Sequence, residues 1–333
     1  GTGRTGMIAA LSLLGYALVL AVAGPRLLRA ASWADRAPRL AIAAWQALTV
    51  TVLASVVLAG LALTFPTVTV SGDLAELLRA CVMAIREQYA SPGGAAAGAT
   101  GAVLSLAILG RTVWCLGVGL SGMARERARH NSILDIVGHT DAHRGMVVLD
   151  SAEPAVYCLP GRRRRTIVTT GALQALDEAQ LDAVLAHEHA HLAERHDLIL
   201  GLSRALALAF PAVSLFRTAS DETARLIELR ADDAAAARSG RLTVAGALLA
   251  VASGGISLSP AVALAAGGAG AAARVRRLIP PPKPLGSART AAGSFALAAL
   301  FALPVLLLGG PAAAAAGQNL CPDANVSAST AAL

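Results

Sequence analysis

Four apolar stretches of nearly membrane-spanning length dominate the hydrophobic pattern of this 333-residue chain. They cover residues 7–24, 40–65, 101–123 and 290–310, and Arg111 is the one charged residue within them. An α-helix needs about 20 apolar residues to cross the hydrocarbon layer of a bilayer. The pattern therefore predicts an α-helical integral membrane protein with four spans.

Residues 124–240 have the mixed polar and apolar pattern of a globular domain and contain all seven histidines. Short apolar runs at 146–149, 155–159 and 166–170 lie between turn residues and predict a small antiparallel sheet. Two helices are expected after these strands. The first begins at a capping box and runs from Asp177 to about Leu200, and the second runs from Ser220 to near Gly240.

The remaining segments carry weaker patterns. Residues 73–90 alternate like an amphipathic helix on the outer membrane surface. Residues 241–289 are rich in Ala and Gly and then basic, which indicates a linker; the pattern leaves open whether 241–273 associates with the membrane or crosses it. The expected organisation is an N-terminal membrane region (1–123), a globular domain (124–240), this linker, a C-terminal transmembrane helix (290–310) and a flexible outer tail (311–333).

Composition and charge agree with a multi-pass protein of the cell membrane. Hydrophobic residues make up 55% of the chain, and nearly all of the positive charge is arginine. Arginines cluster in 25–39 and 124–289, whereas 66–100 is nearly neutral. The positive-inside rule therefore predicts that the 124–240 domain is cytoplasmic. The run Arg162–Arg165 has no aromatic interleaving, so direct nucleic-acid binding is not expected.

Two alternatives remain open near the ends of the chain. Ala21-Val22-Ala23 resembles the cleavage site of a signal peptide. Cleavage would place the Arg-rich loop outside, against the charge rule, so we favour a retained first span. Cys81 and Cys321 share the outer side in this topology, and they could pair or remain thiols. No two cysteines have C-x-x-C spacing, so a cysteine zinc site is unsupported.

Residues 187–191 form an H-E-x-x-H motif within the first predicted helix. Residues four apart share one helix face, so His187 and His191 can direct ring nitrogens at one Zn²⁺ ion. Glu188 is adjacent and can take a proton from a water molecule, which completes the minimal set for peptide-bond hydrolysis. The alternative is a surface helix that carries histidines by chance.

A catalytic zinc site needs a third protein ligand, and two residues are candidates. Asp197 would require a sharp turn, usually through glycine, but Glu194 stands there and favours continued helix. Glu228 lies on the second helix, and Asp232 follows one turn later on the same face. We favour Glu228 as the ligand, with Asp232 accepting the second ring N–H of a ligand histidine.

This choice constrains the apolar segment Leu198–Phe216. One membrane crossing would separate ligands that must both lie about 2 Å from one ion. Two crossings need about 40 residues plus a turn, whereas residues 192–227 number only 36. We therefore predict that Leu198–Phe216 does not cross the membrane.

These motifs together resemble the gluzincin membrane metallopeptidases. The segments Thr169–Leu173 and Val184–His191, with Glu228-x-x-Ala231-Asp232, are similar to HtpX-like heat-shock proteases and CAAX prenyl proteases. The short interval between His191 and Glu228 looks most like the BlaR/MecR-type antirepressor peptidases.

The resemblance implies a small α+β zinc-metalloprotease domain inserted in a helical membrane protein. It implies Zn²⁺ bound by His187, His191 and Glu228, with Glu188 as the base and Asp232 in support. It also implies a protein substrate, of which a winged-helix repressor is one candidate. The founding BlaR/MecR members carry an outer penicillin-binding domain, whereas 23 residues follow Gly310 here and no S-x-x-K occurs. Covalent β-lactam sensing is therefore not expected.

The leading functional prediction is an integral-membrane zinc endopeptidase of a cytoplasmic or membrane-proximal protein, acting in regulated signalling such as repressor cleavage. A second enzymatic reading is membrane-protein quality control. A different class is a non-catalytic, zinc-stabilised sensor or scaffold, which would have no need of Glu188. Thr166–Thr170 is a candidate strand for pairing with substrate, and His196 and Arg230 are candidate oxyanion stabilisers.

Overall fold

The computed structural model describes residues 2–65, 82–83, 86, 89–90, 92–141, 145–161, 165–253, 257–258, 268–280 and 285–318. Most of the predicted amphipathic helix at 73–90, residues Arg162–Arg164 of the arginine run, and both Cys81 and Cys321 lie outside the described residues. The chain divides into two compact units. The first comprises Gly1–Gly24, Ala47–Arg111 and Phe295–Leu333, and the second comprises Pro25–Gln46 and Thr112–Ser294.

The described secondary structure is mainly helical. The helices are α1 (Thr2–Ala30), α2 (Pro38–Thr64), α3 (Pro92–Val137), α4 (Thr170–Ala175), α5 (Glu178–Ala193), α6 (His196–Ala209), α7 (Ser214–Ser239), α8 (Arg241–Ser253), α9 (Gly268–Leu278) and α10 (Ser287–Gln318). The strands are β1 (His139–Asp141), β2 (Met146–Leu149), β3 (Ala155–Leu159), β4 (Arg165–Thr169) and β5 (Ser257–Leu258).

Among the described residues, four helices are long and apolar enough to cross a membrane, which confirms the four predicted apolar helices. They are α1, α2, α3 and α10. Within the first unit, α2 and α3 pack closely where two glycines meet: a Cβ on Gly60 would lie 2.7 Å from the carbonyl oxygen of Gly101. Ser105 Oγ also donates to the carbonyl oxygen of Val57 at 3.1 Å. Small residues allow this approach in transmembrane helices.

The sheet of the second unit is mixed, so the prediction of an antiparallel sheet was wrong. Its strand order is β1-β2-β4-β3-β5. β3 and β4 are antiparallel, whereas β2 and β4 are parallel. β2 and β3 run in opposite directions like an opened hairpin, and β4 inserts between them. Alternation along a strand determines its faces and not its neighbours, which is why the pattern did not reveal this order.

The predicted helix from Asp177 to Leu200 is divided into two. Asp177 and Gln180 form the expected capping box at the start of α5. The helix ends at Ala193, and Arg195 takes a left-handed conformation with φ 51° before α6 begins. The second predicted helix starts six residues earlier than expected, at Ser214, and ends before Gly240 as predicted.

The apolar segment Leu198–Phe216 forms most of α6, a turn and the start of α7. α6 has 14 residues, which is too short for a span, and the segment is absent from the candidate spans of the described residues. α8 packs into the same core as α5 and the sheet through Val244, Leu248 and Val251. The helices around this core thus extend beyond residue 240, the domain boundary expected from the sequence.

Candidate active site

Helix α5 presents the H-E-x-x-H motif on its buried face. The core side chains Leu181 and Val184 precede His187 and Glu188 at spacings of three and four residues, so all four lie on one stripe. His187 is 5% exposed and Glu188 is 2% exposed. The cap at Asp177 determines where the helix begins and therefore which residues face inward.

Three side chains from two helices converge beside this motif. His187 Nε2 and His191 Nε2 lie 3.0 Å apart. Glu228, from α7, places Oε2 at 3.5 Å from His187 Nε2 and Oε1 at 3.7 Å from His191 Nε2. These residues form a group of ligand atoms that all lie within 4.8 Å of one another.

The three side chains fit a zinc ion by donor type and spacing. Zn²⁺ binds imidazole nitrogens at about 2.0–2.1 Å, so two such nitrogens can be at most about 4.2 Å apart. The observed 3.0 Å between the Nε2 atoms satisfies this limit. Glu188 Oε1 is buried without a hydrogen-bond partner among the described residues. Such carboxylate oxygens are costly unless a ligand or water satisfies them.

Asp232 lies one turn beyond Glu228 and supports His187. Its Oδ1 is 3.1 Å from His187 Nδ1, which leaves Nε2 of the ring facing Glu228 and His191. Asp232 is itself completely buried. The contact is the one that a ligand histidine makes with a carboxylate partner to set its tautomer.

Arg274 binds both buried carboxylates, and the sequence reasoning missed it. Its Nε donates to Asp232 Oδ2 at 2.8 Å, and its Nη2 donates to Asp232 Oδ1 at 2.6 Å. Its Nη1 lies 3.0 Å from Glu228 Oε2. Arg274 belongs to α9, within the segment that the sequence indicated as a linker. The spacing of Arg274, Val275 and Leu278 as one inward face was the available signal.

Glu188 is held by the backbone of strand β3. The N–H of Cys158 donates to Glu188 Oε2 at 3.2 Å, so the other carboxylate oxygen is the one without a partner. Burial raises the pKa of Glu188 to about 7, although the nearby charge of His187 acts to lower it. No sequence pattern indicated this backbone contact, because it depends on how β3 packs against α5.

The two ligand histidines differ in electrostatic environment. Burial favours neutral His187, but hydrogen bonds to Asp232 and Glu228 outweigh it and raise its pKa to about 9. Burial and the His187 charge lower the pKa of His191 to about 3. Burial acts to raise the pKa of Glu228, but its hydrogen bond to His187 and the charge of Arg274 outweigh burial and lower the pKa to about 2.

The other candidates of the sequence analysis lie elsewhere in the second unit. Asp197 pairs with Arg127 at 3.4 Å and is not in the group of potential metal ligands. Arg230 forms an ion pair with Glu194, in which its Nη2 donates to Oε1 at 2.5 Å. His196 packs against the Nδ1 side of the His191 ring, with its own Nδ1 3.1 Å from His191 Nδ1. Neither Arg230 nor His196 is placed as an oxyanion stabiliser.

A cavity of about 290 Å³ opens beside Glu188 and His191. Its walls come from β3, α5, α6 and the end of α3, and its lining is mostly apolar, including Met123, Leu159 and Leu200. Polar side chains line part of it, among them His130 and Tyr157, whose Nε2 and hydroxyl oxygen lie 2.8 Å apart. The cavity can therefore accept an apolar side chain next to the site.

Comparison with known protein families supports a peptidase. Residues 124–225 match the model of peptidase family M48, and the match includes the H-E-x-x-H motif but stops short of Glu228. No curated protein and no solved structure matches the chain. The family match and the four apolar helices together support a membrane-associated metalloprotease.

Proposed function

We propose that this chain is an integral-membrane zinc endopeptidase that hydrolyses a peptide bond of a cytoplasmic or membrane-proximal protein. The observation that carries the proposal is the convergence of His187, His191 and Glu228 beside Glu188, whose Oε1 is buried without a partner. A purely structural metal site gains nothing from such a carboxylate, because burying it costs free energy. The geometry therefore favours an enzyme over a zinc-stabilised scaffold.

His187, His191 and Glu228 are the residues that would hold the metal. When bound, zinc polarises the scissile carbonyl and lowers the pKa of a water molecule. Glu188 accepts a proton from the attacking water at Oε1, and it returns that proton to the leaving nitrogen. The N–H of Cys158 holds Oε2 during both transfers, so the carboxylate keeps one orientation.

The substrate is proposed to bind along β3. Both edges of β4 are paired, with β2 and with β3, so the candidate strand Thr166–Thr170 cannot receive another strand. β3 pairs with β5 only at Ala155 and Val156, and no other described strand covers the rest of that edge. An extended peptide could add along this edge beside Glu188, without using the N–H of Cys158, which Glu188 holds. An apolar side chain of that peptide would enter the neighbouring cavity.

Two features favour a membrane-proximal substrate and a cytoplasmic site. The cavity is lined partly by residues 123–130 of α3, a helix that is one of the candidate spans. Arginines cluster within the second unit, at 25–39 and 124–289, as the positive-inside rule expects for cytoplasmic segments. The BlaR/MecR resemblance favours a regulated substrate such as a winged-helix repressor.

The decisive experiment compares wild type with Glu188→Gln in cells by quantitative proteomics of cleaved peptides. Glu188→Gln removes the proton acceptor but leaves the three ligands, so we expect loss of cleavage with a full complement of zinc in the purified protein. His189→Gln, on the exposed side of the same helix, is the matched control and should cleave normally. Undiminished cleavage by Glu188→Gln, or wild-type protein without stoichiometric zinc, would overturn the proposal.

A further inference from the structure

We propose that His196 is a positioning residue that accepts a hydrogen bond from the Nδ1–H group of His191. Glu194, held by Arg230, keeps His196 in the tautomer that can accept this bond. The inference rests on the metal site proposed above. It concerns how the second ligand histidine is oriented, which neither the motif nor the family match addresses.

The contact between the two rings is short and buried. His196 Nδ1 lies 3.1 Å from His191 Nδ1. The ring planes meet at 81°, with their centroids 4.9 Å apart, so the edge of one ring faces the other. His196 is 1% exposed. Water therefore does not compete for the Nδ1 atom of His191.

In each of the two rings, the nitrogen that carries the proton is determined by what the other ring nitrogen contacts. A neutral imidazole carries one proton, and His191 directs Nε2 toward His187 and Glu228. The proton of His191 must then lie on Nδ1, so the atom that contacts Nδ1 must be a hydrogen-bond acceptor. His196 can accept at Nδ1 only if its own proton lies on Nε2.

Glu194 provides the acceptor that this tautomer requires. His196 Nε2 lies 3.5 Å from Glu194 Oε2. Arg230 fixes the carboxylate by donating from Nε to Oε1 and Oε2, at 2.9 and 3.1 Å. The chain of donors and acceptors therefore runs from His191 through His196 to Glu194, with Arg230 holding the far end.

The left-handed turn at Arg195 makes this arrangement possible. A helix that continued through 194–196 would rotate consecutive side chains by about 100° each and carry His196 past His191. With φ of 51° at Arg195 the helix is broken, and His196 lies against His191 with Glu194 beside it. His187 has a corresponding support in Asp232, which Arg274 binds, so each ligand histidine contacts an acceptor of its own.

The test compares two substitutions of His196 in the full-length, detergent-solubilised protein. Zinc dissociation constants are measured by competition with a chromophoric chelator, and absorption spectra are recorded after replacement with Co²⁺. His196→Leu removes the acceptor, and loss of such a contact costs about 10- to 100-fold in metal affinity. His196→Asn places an amide oxygen where Nδ1 was, so its affinity and Co²⁺ spectrum should stay close to wild type.

Two further variants keep the test decisive. His189→Leu removes an exposed histidine of α5 and should leave the dissociation constant unchanged. Glu194→Met lies outside the ring contact and is partly exposed, so it should fold and still weaken zinc binding several-fold by releasing the His196 tautomer. Unfolding midpoints of the metal-free proteins show that each variant is folded.

Three outcomes would overturn the inference: a His196→Leu protein with wild-type affinity, equal loss in His196→Leu and His196→Asn, or no effect of Glu194→Met. The second result would mean that His196 only fills space. Each of these leaves the proposed function intact, because wild type still binds zinc. Failure of wild type itself to bind zinc would instead remove the proposed function.

Discussion

At the scale of single residues, Arg274 is the unexpected component of the site. Two carboxylates, Asp232 and Glu228, are buried within one helical turn of each other. Like charges in a poorly solvated site repel, so a nearby cation is needed to keep both ionised. Arg274 binds both with charge-assisted hydrogen bonds or close ion pairs. The catalytic helix pair therefore depends on a residue more than 40 positions further along the chain.

We expect Arg274→Gln to destabilise the metal-free protein by about 3–5 kcal/mol, because it leaves buried carboxylates without their counter-ion. Thermal unfolding in detergent with excess chelator measures the change. Arg276→Gln, an exposed arginine two residues further along the same helix, is the control and should shift stability by less than about 0.5 kcal/mol. Equal effects of the two variants would contradict the structural role given to Arg274.

At the scale of elements, the break between α5 and α6 decides which residues reach the site. The left-handed conformation of Arg195 is uncommon for a residue with a Cβ atom. The turn takes Asp197 to Arg127 and brings His196 against His191. The backbone conformation of Arg195 thus directs Asp197 away from the metal site and His196 toward it.

Substitutions at Arg195 should separate backbone conformation from side-chain chemistry. Arg195→Gly permits the left-handed turn, so we expect unchanged zinc affinity and stability that is equal to wild type or up to about 1 kcal/mol higher. Arg195→Val opposes the turn, and we expect a loss of about 1–3 kcal/mol with weaker zinc binding. Calorimetry and chelator competition measure the two quantities. Similar behaviour of both variants would show that the turn is not required.

At the scale of the whole molecule, buried ionisable groups make stability depend on pH once metal is removed. The raised pKa of His187, about 9 against an ordinary 6.5, gives stability that is complete below pH 6.5 and is lost as pH rises to about 9. The raised pKa of Glu188 acts in the same direction between about pH 4.5 and 7. The lowered pKa values of Glu228 and Asp232 give stability that is lost in acid.

We therefore expect the metal-free protein to be most stable near pH 6.5. The lowered pKa of His191 removes stability as pH falls below 6.5, and the raised pKa of His187 removes it as pH rises from 6.5 to 9. Unfolding midpoints across that range, measured in chelator, provide the test. Saturating zinc should abolish or reverse the alkaline decline, because metal binding requires neutral histidines and releases their protons. A flat profile for the metal-free protein would mean that His187 is not held in its protonated form by Asp232 and Glu228.

Local pattern was sufficient for the four apolar helices, the capping box at Asp177, strands β2, β3 and β4, and the end of α7. Each depends on residues within a few positions of one another, so periodicity and cap chemistry reveal them. The shared helix face of Glu228 and Asp232, and the helix-favouring Glu194, favoured Glu228 over Asp197 as the partner of the motif. Counting the residues between His191 and Glu228 predicted that Leu198–Phe216 does not cross the membrane.

Tertiary structure decided the features that join distant segments. The insertion of β4 between β2 and β3, the approach of Arg274 to Asp232, the Cys158 N–H at Glu188 and the turn at Arg195 all depend on packing. Glu194 has good intrinsic preference for a helix, but that preference is worth only tenths of a kcal/mol. Burial of His196 and ion pairing of Glu194 with Arg230 outweigh it, and those partners become neighbours only when the chain has folded.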